Sequence, residues 1–334
     1  MSVFIVKPGL LASVQDLGRY GHRQLGICPG GALDTLALAV ANRLVGNDDS
    51  AAGLELTLGA CEIRFENDTR IALAGEAFGA TVDGAPLAPC WSVPVHAGQT
   101  LRLGGAPTGV RPGLRTWLAV AGGIDVPPIL GSRSTDLKAG FGGLEGRALR
   151  KGDRLPIGTS RLDESQRKRK SFGVRAPDAG DAPGEPTTLR ALPGPEAEQF
   201  LQAAHKLLYA EPWRITPQSN RMGSRLAGPE LKRRKGSTDM LSAGVVPGTV
   251  QVPPSGQPII LMGDAQTTGG YPRIAVVIRA DLWKLAQAPL GSPLRLVEVD
   301  EQSAHDAWNA RQRYLAQVAQ GLALMNWPGE HDGN

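Results

Sequence analysis

Apolar residues in this chain come in short runs, and glycine, proline or aspartate closes nearly every one. Val3–Val6, Cys61–Phe65, Arg70–Leu73, Thr116–Val120, Pro258–Met262 and Arg273–Ile278 all have this form. Runs of four to eight residues, apolar or alternating and bounded by turn formers, read as strands. The 43 glycines and 26 prolines follow no collagen period, so they mark turns between many short elements and argue against a long helical bundle. The reading is a mainly β chain with a few helices. A length of 334 residues fits about two domains at roughly 150 residues each.

Helical periodicity interrupts the strands in three or four places. Leu33, Leu36, Ala37, Val40, Ala41 and Leu44 repeat at helical spacing, and Gly46 supplies a stop. A second helix is expected to open at Gly194-Pro195, with Ala197, Phe200, Leu201, Ala204 and Leu208 as its buried stripe. A short third helix follows Ala280-Asp281. The last runs from about Gln302 to Leu324 with Ala304, Trp308, Leu315, Val318 and Leu322 on one face. Residues 161–188 are polar and rich in proline and glycine, which reads as an exposed linker or long loop. The expected organisation is a first β unit over 1–160, this linker, a second β unit over 189–300 and a C-terminal helix over 301–326.

Composition excludes several classes. Lys+Arg 36 against Asp+Glu 32 leaves a formal charge of +4, too slight to argue for nucleic acid. The basic tetrads Arg167–Lys170 and Lys232–Lys235 lack interleaved aromatics and read as solvated loops. The longest apolar stretch, Trp117–Ile124, is far below the roughly 20 residues that span a bilayer. The amino-terminal residues carry no secretory signal pattern. Cys28, Cys61 and Cys90 form no CxxC and encode neither a zinc site nor a disulfide framework, so a reducing cytoplasm fits. The five histidines are never within four residues of one another, and no metal site is expected. There is no phosphate loop of the GxxxxGK[ST] kind, no GxSxG nucleophile elbow and no Met-Lys pair of the kind that carries biotin.

Four glycine-bearing segments concentrate chemistry. In Gly263–Pro272, between two strands, Asp264, Gln266, Thr267, Thr268 and Tyr271 gather a carboxylate, an amide and hydroxyls, and Gly269-Gly270 can expose backbone N–H groups to a ligand. Asp264 could accept a proton or fix a water, while the threonines and glycine amides could hold an oxyanion. The alternative is a tight loop whose polar groups cap its own backbone. Near the start, Gln15, Asp16 and Arg19 precede Asp34. Asp16 and Arg19 could form an ion pair in a turn, or Arg19 could grip a substrate carboxylate. Asp34 is either a ligand group or a helix cap. Ser132, Arg133 and Ser134 form the third segment. Arg221, in Ser219–Leu226, anchors the fourth. Both suit an anionic group, and both could equally be turns with exposed arginines.

These segments, QDLGRYG…GGALD…ANRLVGN…LE, GGI…LGSRST…GG, RMGSRLAG and GVVPGTVQVPPSGQPIILMGDAQTTGGYPRIAVV, closely resemble the family of the 5-oxoprolinase C subunit, also labelled allophanate hydrolase subunit 2 or biotin-dependent carboxyltransferase. The resemblance runs from about residue 3 to about residue 300. It implies two cyclophilin-like β-barrel units and work alongside partners. In the 5-oxoprolinase version, subunits A, B and C open the lactam of 5-oxo-L-proline to L-glutamate with ATP hydrolysis. ATP is then expected at the level of the complex rather than on this chain alone. Two alternatives stay open. One is a carboxyltransferase component of a urea carboxylase-type system, which would use biotin. The other is a non-catalytic binding partner of a homologue of the B subunit or of a kinase inhibitor. The resemblance supports the four segments as a site without assigning their roles.

Overall fold

The computed structural model describes residues 1–104, 113–182, 184–234 and 240–328, leaving Lys235 of the second basic tetrad and His331 outside the described residues. The chain is mainly β and divides into two compact units, each discontinuous in sequence. Unit 1 comprises Met1–Arg19, Gly30–Asp178 and the chain from Gln312 onward. Unit 2 comprises Tyr20–Pro29 and Ala179–Arg311. The linear division expected from the sequence therefore needs correcting in three places. Tyr20–Pro29 leaves the first unit, the segment up to Asp178 belongs to the first unit, and the last helix is shared between both.

In unit 1 the described strands pair as two six-stranded sheets. The first runs Arg154–Pro156, Ser2–Pro8, Cys61–Phe65, Thr100–Arg102, Thr81–Val82 and Ala85–Pro86. The second runs Phe172–Gly173, Trp91–Val95, Thr69–Gly75, Arg115–Val120, Gly53–Thr57 and Leu11–Gln15. Alternation decides which face is buried. Cys61, Ile63 and Phe65 enter the core while Glu62 and Arg64 lie at the margin, as the period of two along a strand requires. Arg115–Val120 is buried at every position, because helix α1 (Thr35–Leu44) packs against it as well. Asp34 caps α1, accepting hydrogen bonds from the Leu36 and Ala37 N–H groups at 3.1 and 2.8 Å.

The stretch read as a linker is anchored. Helix α2 (Glu164–Lys168) opens on a capping box between Asp163 and Gln166. Its last carbonyls and those that follow, on Gln166, Arg167, Arg169 and Lys170, accept hydrogen bonds from the buried Arg70 guanidinium. A helix end leaves orphan carbonyls and a guanidinium has five donors, so each satisfies the other. Phe172 and Trp327 flank the cation at 4.8 and 5.1 Å. Burial, followed by repulsion from Arg169, draws the Arg70 pKa down to about 10, which leaves it charged at neutral pH. Phe172–Gly173 then pairs with Trp91–Ser92 at the edge of the second sheet.

In unit 2 seven strands close a barrel in the order Thr187–Pro193, Arg273–Val277, Thr249–Gln251, Ile259–Leu261, Gly223–Ala227, Trp213–Ile215 and Pro293–Glu298. Closure comes from the parallel pairing of Pro293–Glu298 with Thr187–Pro193, Leu296 opposite Leu189. A separate two-stranded ribbon joins Ala243–Gly244 to Thr268–Gly269. The helix expected from Gly194-Pro195 breaks in two. Ala197–Gln199 is a 3-10 turn, Phe200 is extended, and helix α3 covers Gln202–Ala210. Phe200 is fully buried in this extended state and Leu201 is exposed, so burial of one ring overrides helical continuity. Helix α4 (Leu282–Gln287) and helix α5 (Glu301–Ala323) lie where periodicity places them. No helix of the described residues is long and apolar enough to cross a membrane.

Candidate functional site

In unit 1 the first and third glycine-bearing segments meet on one carboxylate. Asp16 follows directly on the strand Leu11–Gln15 and is buried. Its Oδ1 accepts hydrogen bonds from the Ser132 and Ser134 hydroxyls and from the Gly18 N–H, the first at 2.6 Å and the last at 2.8 Å. Its Oδ2 accepts the Arg133 N–H. The Asp16 N–H in turn donates to Ser134 Oγ at 2.9 Å. Two hydroxyls and two amides thus spread one negative charge over a rigid turn. Of the two readings of Asp16 and Arg19, the ion pair is not formed, because the carboxylate is already satisfied by neutral donors. Arg133 contributes its backbone here, while its guanidinium turns away to Asp125 at 2.9 Å.

Arg19 is 1% exposed and belongs to the same neighbourhood. Its Nη2 donates to the Ser134 carbonyl, and its guanidinium carbon lies 4.6 Å from the centre of the Phe141 ring. Its Nε and Nη1 are buried without a hydrogen-bond partner. Gln15 donates through Nε2 to Ser13 Oγ and the Thr135 carbonyl, leaving Oε1 buried and unpartnered. Gly142 makes this packing feasible. A Cβ there would stand 2.8 Å from Arg19 Nη2 and 2.1 Å from the Ser134 carbonyl.

In unit 2 the second pair of segments meets in a buried fork. Arg221 Nε and Nη2 donate to Asp264 Oδ2 and Oδ1 at 2.8 and 2.9 Å, and each side chain is about 5% exposed. The Asp264 N–H also donates to the Arg221 carbonyl, so main chain and side chains lock the two turns together. Both carboxylate oxygens are engaged by a permanent cation, so Asp264 is not placed as a free proton acceptor. Its part is to hold Arg221 and the turn that follows.

Beyond Asp264 the loop alternates. Thr267 is buried, whereas Gln266, Thr268, Gly270 and Tyr271 are exposed. The Thr267 carbonyl accepts from the Val245 N–H and from Arg23, whose Nη2 also donates to the Val245 carbonyl. No hydrogen bond forms to the Thr267 hydroxyl among the described residues. Gly269 lies so close to Gln251 that a Cβ would sit 2.4 Å from its Nε2, and that same amide donates to the Tyr271 carbonyl. At Gly270 the nearest atom to such a Cβ is 3.6 Å away, which leaves its backbone approachable.

Sequence reasoning missed several of these groups. Arg23 carries no motif of its own, and only the fold sets it beside the 263–272 loop. Glu55 and Arg115 form a buried ion pair at 3.6 Å in unit 1, and Glu55 also accepts the Leu33 N–H. The available signal was a lone acid inside the apolar strand Gly53–Thr57. Asp34 acts as the cap of α1, as the competing reading of that residue held. The three cysteines are free and buried, and burial above all pushes the Cys61 and Cys90 thiols up to about 12.

Comparison with known proteins places this architecture. Residues 25–298 match the family described as carboxyltransferase domain, subdomain A and B. The chain is 49% identical over 317 residues to the 5-oxoprolinase C subunit of Escherichia coli (strain K12), covering 94% of this chain and 97% of that protein. It is 39% identical over 307 residues to the 5-oxoprolinase C subunit of Haemophilus influenzae, covering 92% and 94%. The crystal structure of the K. lactis urea amidolyase superposes with a TM-score of 0.84 at 28% identity, covering 95% of this chain but only 20% of that one. The chain therefore belongs to the carboxyltransferase subdomain A and B family and, within it, to the family of 5-oxoprolinase C subunits.

Proposed function

We propose that this chain is the C subunit of an ATP-dependent 5-oxoprolinase that opens 5-oxo-L-proline to L-glutamate together with subunits A and B. The observation that carries this reading is the 49% identity to a protein named as the C subunit of 5-oxoprolinase, along 97% of that protein's length. The urea amidolyase likeness is weaker in sequence and spans a fifth of that chain, which makes a carboxyltransferase role the second reading.

An unstrained lactam is a poor electrophile, and transfer of the terminal phosphoryl group of ATP to its exocyclic carbonyl oxygen, with release of ADP, activates the carbonyl carbon. Water adds at that carbon, the C–N bond breaks with a proton passing to the departing amine nitrogen, and a second water cleaves the resulting acyl phosphate to the carboxylate and inorganic phosphate. The chain carries no phosphate loop, so ATP binding is assigned to a partner or to a surface shared with one. The contribution of this chain is positioning. The hydroxyls of Thr267 and Thr268 and the Gly270 amide are the donors suited to a developing oxyanion, since the Thr267 hydroxyl has no internal partner and Gly270 is open, while Gly269 is paired with Ala243 in the ribbon. Arg221, fixed by Asp264, keeps this loop in register.

The test is glutamate release from 5-oxo-L-proline and ATP, with each of the three proteins left out in turn. Activity only when all three are present supports the reading. Activity that instead needs bicarbonate and a biotinylated carrier supports the carboxyltransferase role. Loss of one oxyanion donor in Thr267→Val is expected to lower kcat by about 100-fold. A variant at wild-type rate removes Thr267 from the mechanism.

A further inference from the structure

The ribbon that carries part of the 263–272 loop is too short to hold itself. It consists of two residue pairs, Ala243 with Gly269 and Gly244 with Thr268, and it stands apart from the closed barrel. Two-stranded pairing without further support is marginal in water even at greater length. Two arginines grip the carbonyls of this region. Arg273, forked by Glu196 through Nε and Nη2, donates from Nη1 to the Gly244 carbonyl at 2.8 Å. Arg23 donates from the single nitrogen Nη2 to the Val245 carbonyl and, at 3.4 Å, to the Thr267 carbonyl. The Tyr20–Pro29 segment that brings Arg23 belongs to unit 2, so these contacts all lie inside one unit. We infer that Arg23 is the positioning residue of Thr267, the clamp that aims its hydroxyl for the reaction. The catalytic part of this inference rests on the 5-oxoprolinase reading.

The two carbonyls that Arg23 joins are rooted differently. Val245 is buried in a core cluster with Leu261 and Ala265. Thr267 lies between the exposed residues Gln266 and Thr268, and its carbonyl has one other tie, the Val245 N–H at 3.0 Å. Arg23 crosses that same junction, so one nitrogen fastens the working residue to a rooted one. The Thr267 hydroxyl has no hydrogen bond among the described residues, so its direction is set through the main chain. Fixing the carbonyl fixes the peptide plane, and a β-branched side chain has little χ1 freedom left, so the hydroxyl follows the backbone. Among the described residues no carboxylate pairs with Arg23. Its donors are directed at these two carbonyls, and its removal strands no acid.

The experiment is a double-mutant cycle in the reconstituted three-protein complex with 5-oxo-L-proline and ATP. Arg23→Met keeps an apolar stem and removes every donor. It is expected to lower kcat about 10-fold while KM stays within about threefold. In a Thr267→Val background the same change is expected to lower kcat less than about twofold, because the group it positions is already gone. A tenfold loss in both backgrounds, or a loss confined to KM, overturns the assignment. Arg23→Lys restores a point donor, which is all that contacts from Nη2 alone require, and is expected to recover kcat to within about threefold of wild type. A lysine variant as slow as Arg23→Met also overturns it. Hydrogen exchange of the chain alone adds a readout independent of turnover. The Val245 N–H, donated to Thr267, is expected to exchange about 10-fold faster in Arg23→Met, while the Val277 N–H, donated to Gly248 in the barrel, keeps its wild-type rate. An unchanged rate at Val245, or faster exchange at both amides, overturns the clamp. A wild-type complex inactive on 5-oxo-L-proline, combined with Arg23-dependent exchange at Val245 alone, overturns the 5-oxoprolinase reading and keeps the clamp. Should Arg23→Met not fold, Arg23→Gln, polar and uncharged, takes its place in both measurements.

Discussion

Each unit buries an aspartate and an arginine from the candidate segments, and the two use them in opposite ways. In unit 2 Arg221 and Asp264 are far apart in sequence, yet they close a bidentate pair with both partners about 5% exposed. In unit 1 Asp16 and Arg19 are three residues apart and do not pair. There the acid is satisfied by Ser132, Ser134, Arg133 and Gly18, and the base is left with one carbonyl. The difference separates two jobs for the same residue types. A closed pair is saturated and gives rigidity. An acid held by neutral donors leaves its neighbouring base to other company, here the Ser134 carbonyl and the Phe141 ring.

The strongest way to break this comparison is to remove Asp264. Asp264→Ala removes the carboxylate that forks the buried Arg221 guanidinium and is expected to cost about 3–5 kcal/mol, read by denaturant unfolding. A cost under about 1 kcal/mol would mean that the fork is not what holds the two turns. Asp16→Ala leaves only neutral donors unpaired and strands no cation, so about 2 kcal/mol is expected. If it matched Asp264→Ala, the distinction between the clusters would fail. A smaller effect is expected at Glu196, whose carboxyl the hydrogen bond from Arg273 holds below its ordinary range. A lowered folded-state pKa means that the contribution is complete above the unfolded value of about 4.3 and is lost as pH falls through the folded one. Glu196→Gln should therefore cost about 1 kcal/mol at pH 7, and the gap from wild type should close in acid. A gap that persists at pH 2 would show the effect to be packing. The smallest change is expected for Arg221→Met with Asp264→Leu, which removes charge and partner together. Its stability should return to within about 1 kcal/mol of wild type, while lactam opening stays impaired if the fork orients the 263–272 loop.

Much of the fold is legible in local pattern. Cys61–Phe65 alternates, Trp117–Val120 is uniformly apolar, and Asp34 precedes a helical stripe. Each is a property of neighbouring residues, and each element forms where the pattern sets it. What local pattern cannot carry is partnership at a distance. Nothing in residues 166–170 announces that their carbonyls are wanted by Arg70, since a carbonyl has no side-chain signature. Phe200 satisfies helical spacing and yet is extended, because its ring is buried by the tertiary fold. The site shows the same limit. The glycine and hydroxyl content marked its segments, but the choice of Ser132 and Ser134 over Arg19 as partners of Asp16 is set by which turn the fold delivers to that carboxylate.

The turn at Trp327 bears on how the chain is made. Trp327 donates its indole N–H to the Arg43 carbonyl and sets its ring edge-on to Phe172, while Arg43 reaches the Leu315 carbonyl. A ribosome exports these residues only after the barrel strands of unit 2 have emerged. Unit 1 therefore waits, missing a piece of its own interior, until the chain beyond Gln312 has followed unit 2 out of the tunnel. A nascent chain halted before residue 312 should expose the Arg70 cation and the Phe172 ring to whatever holds unfinished polypeptides in solution.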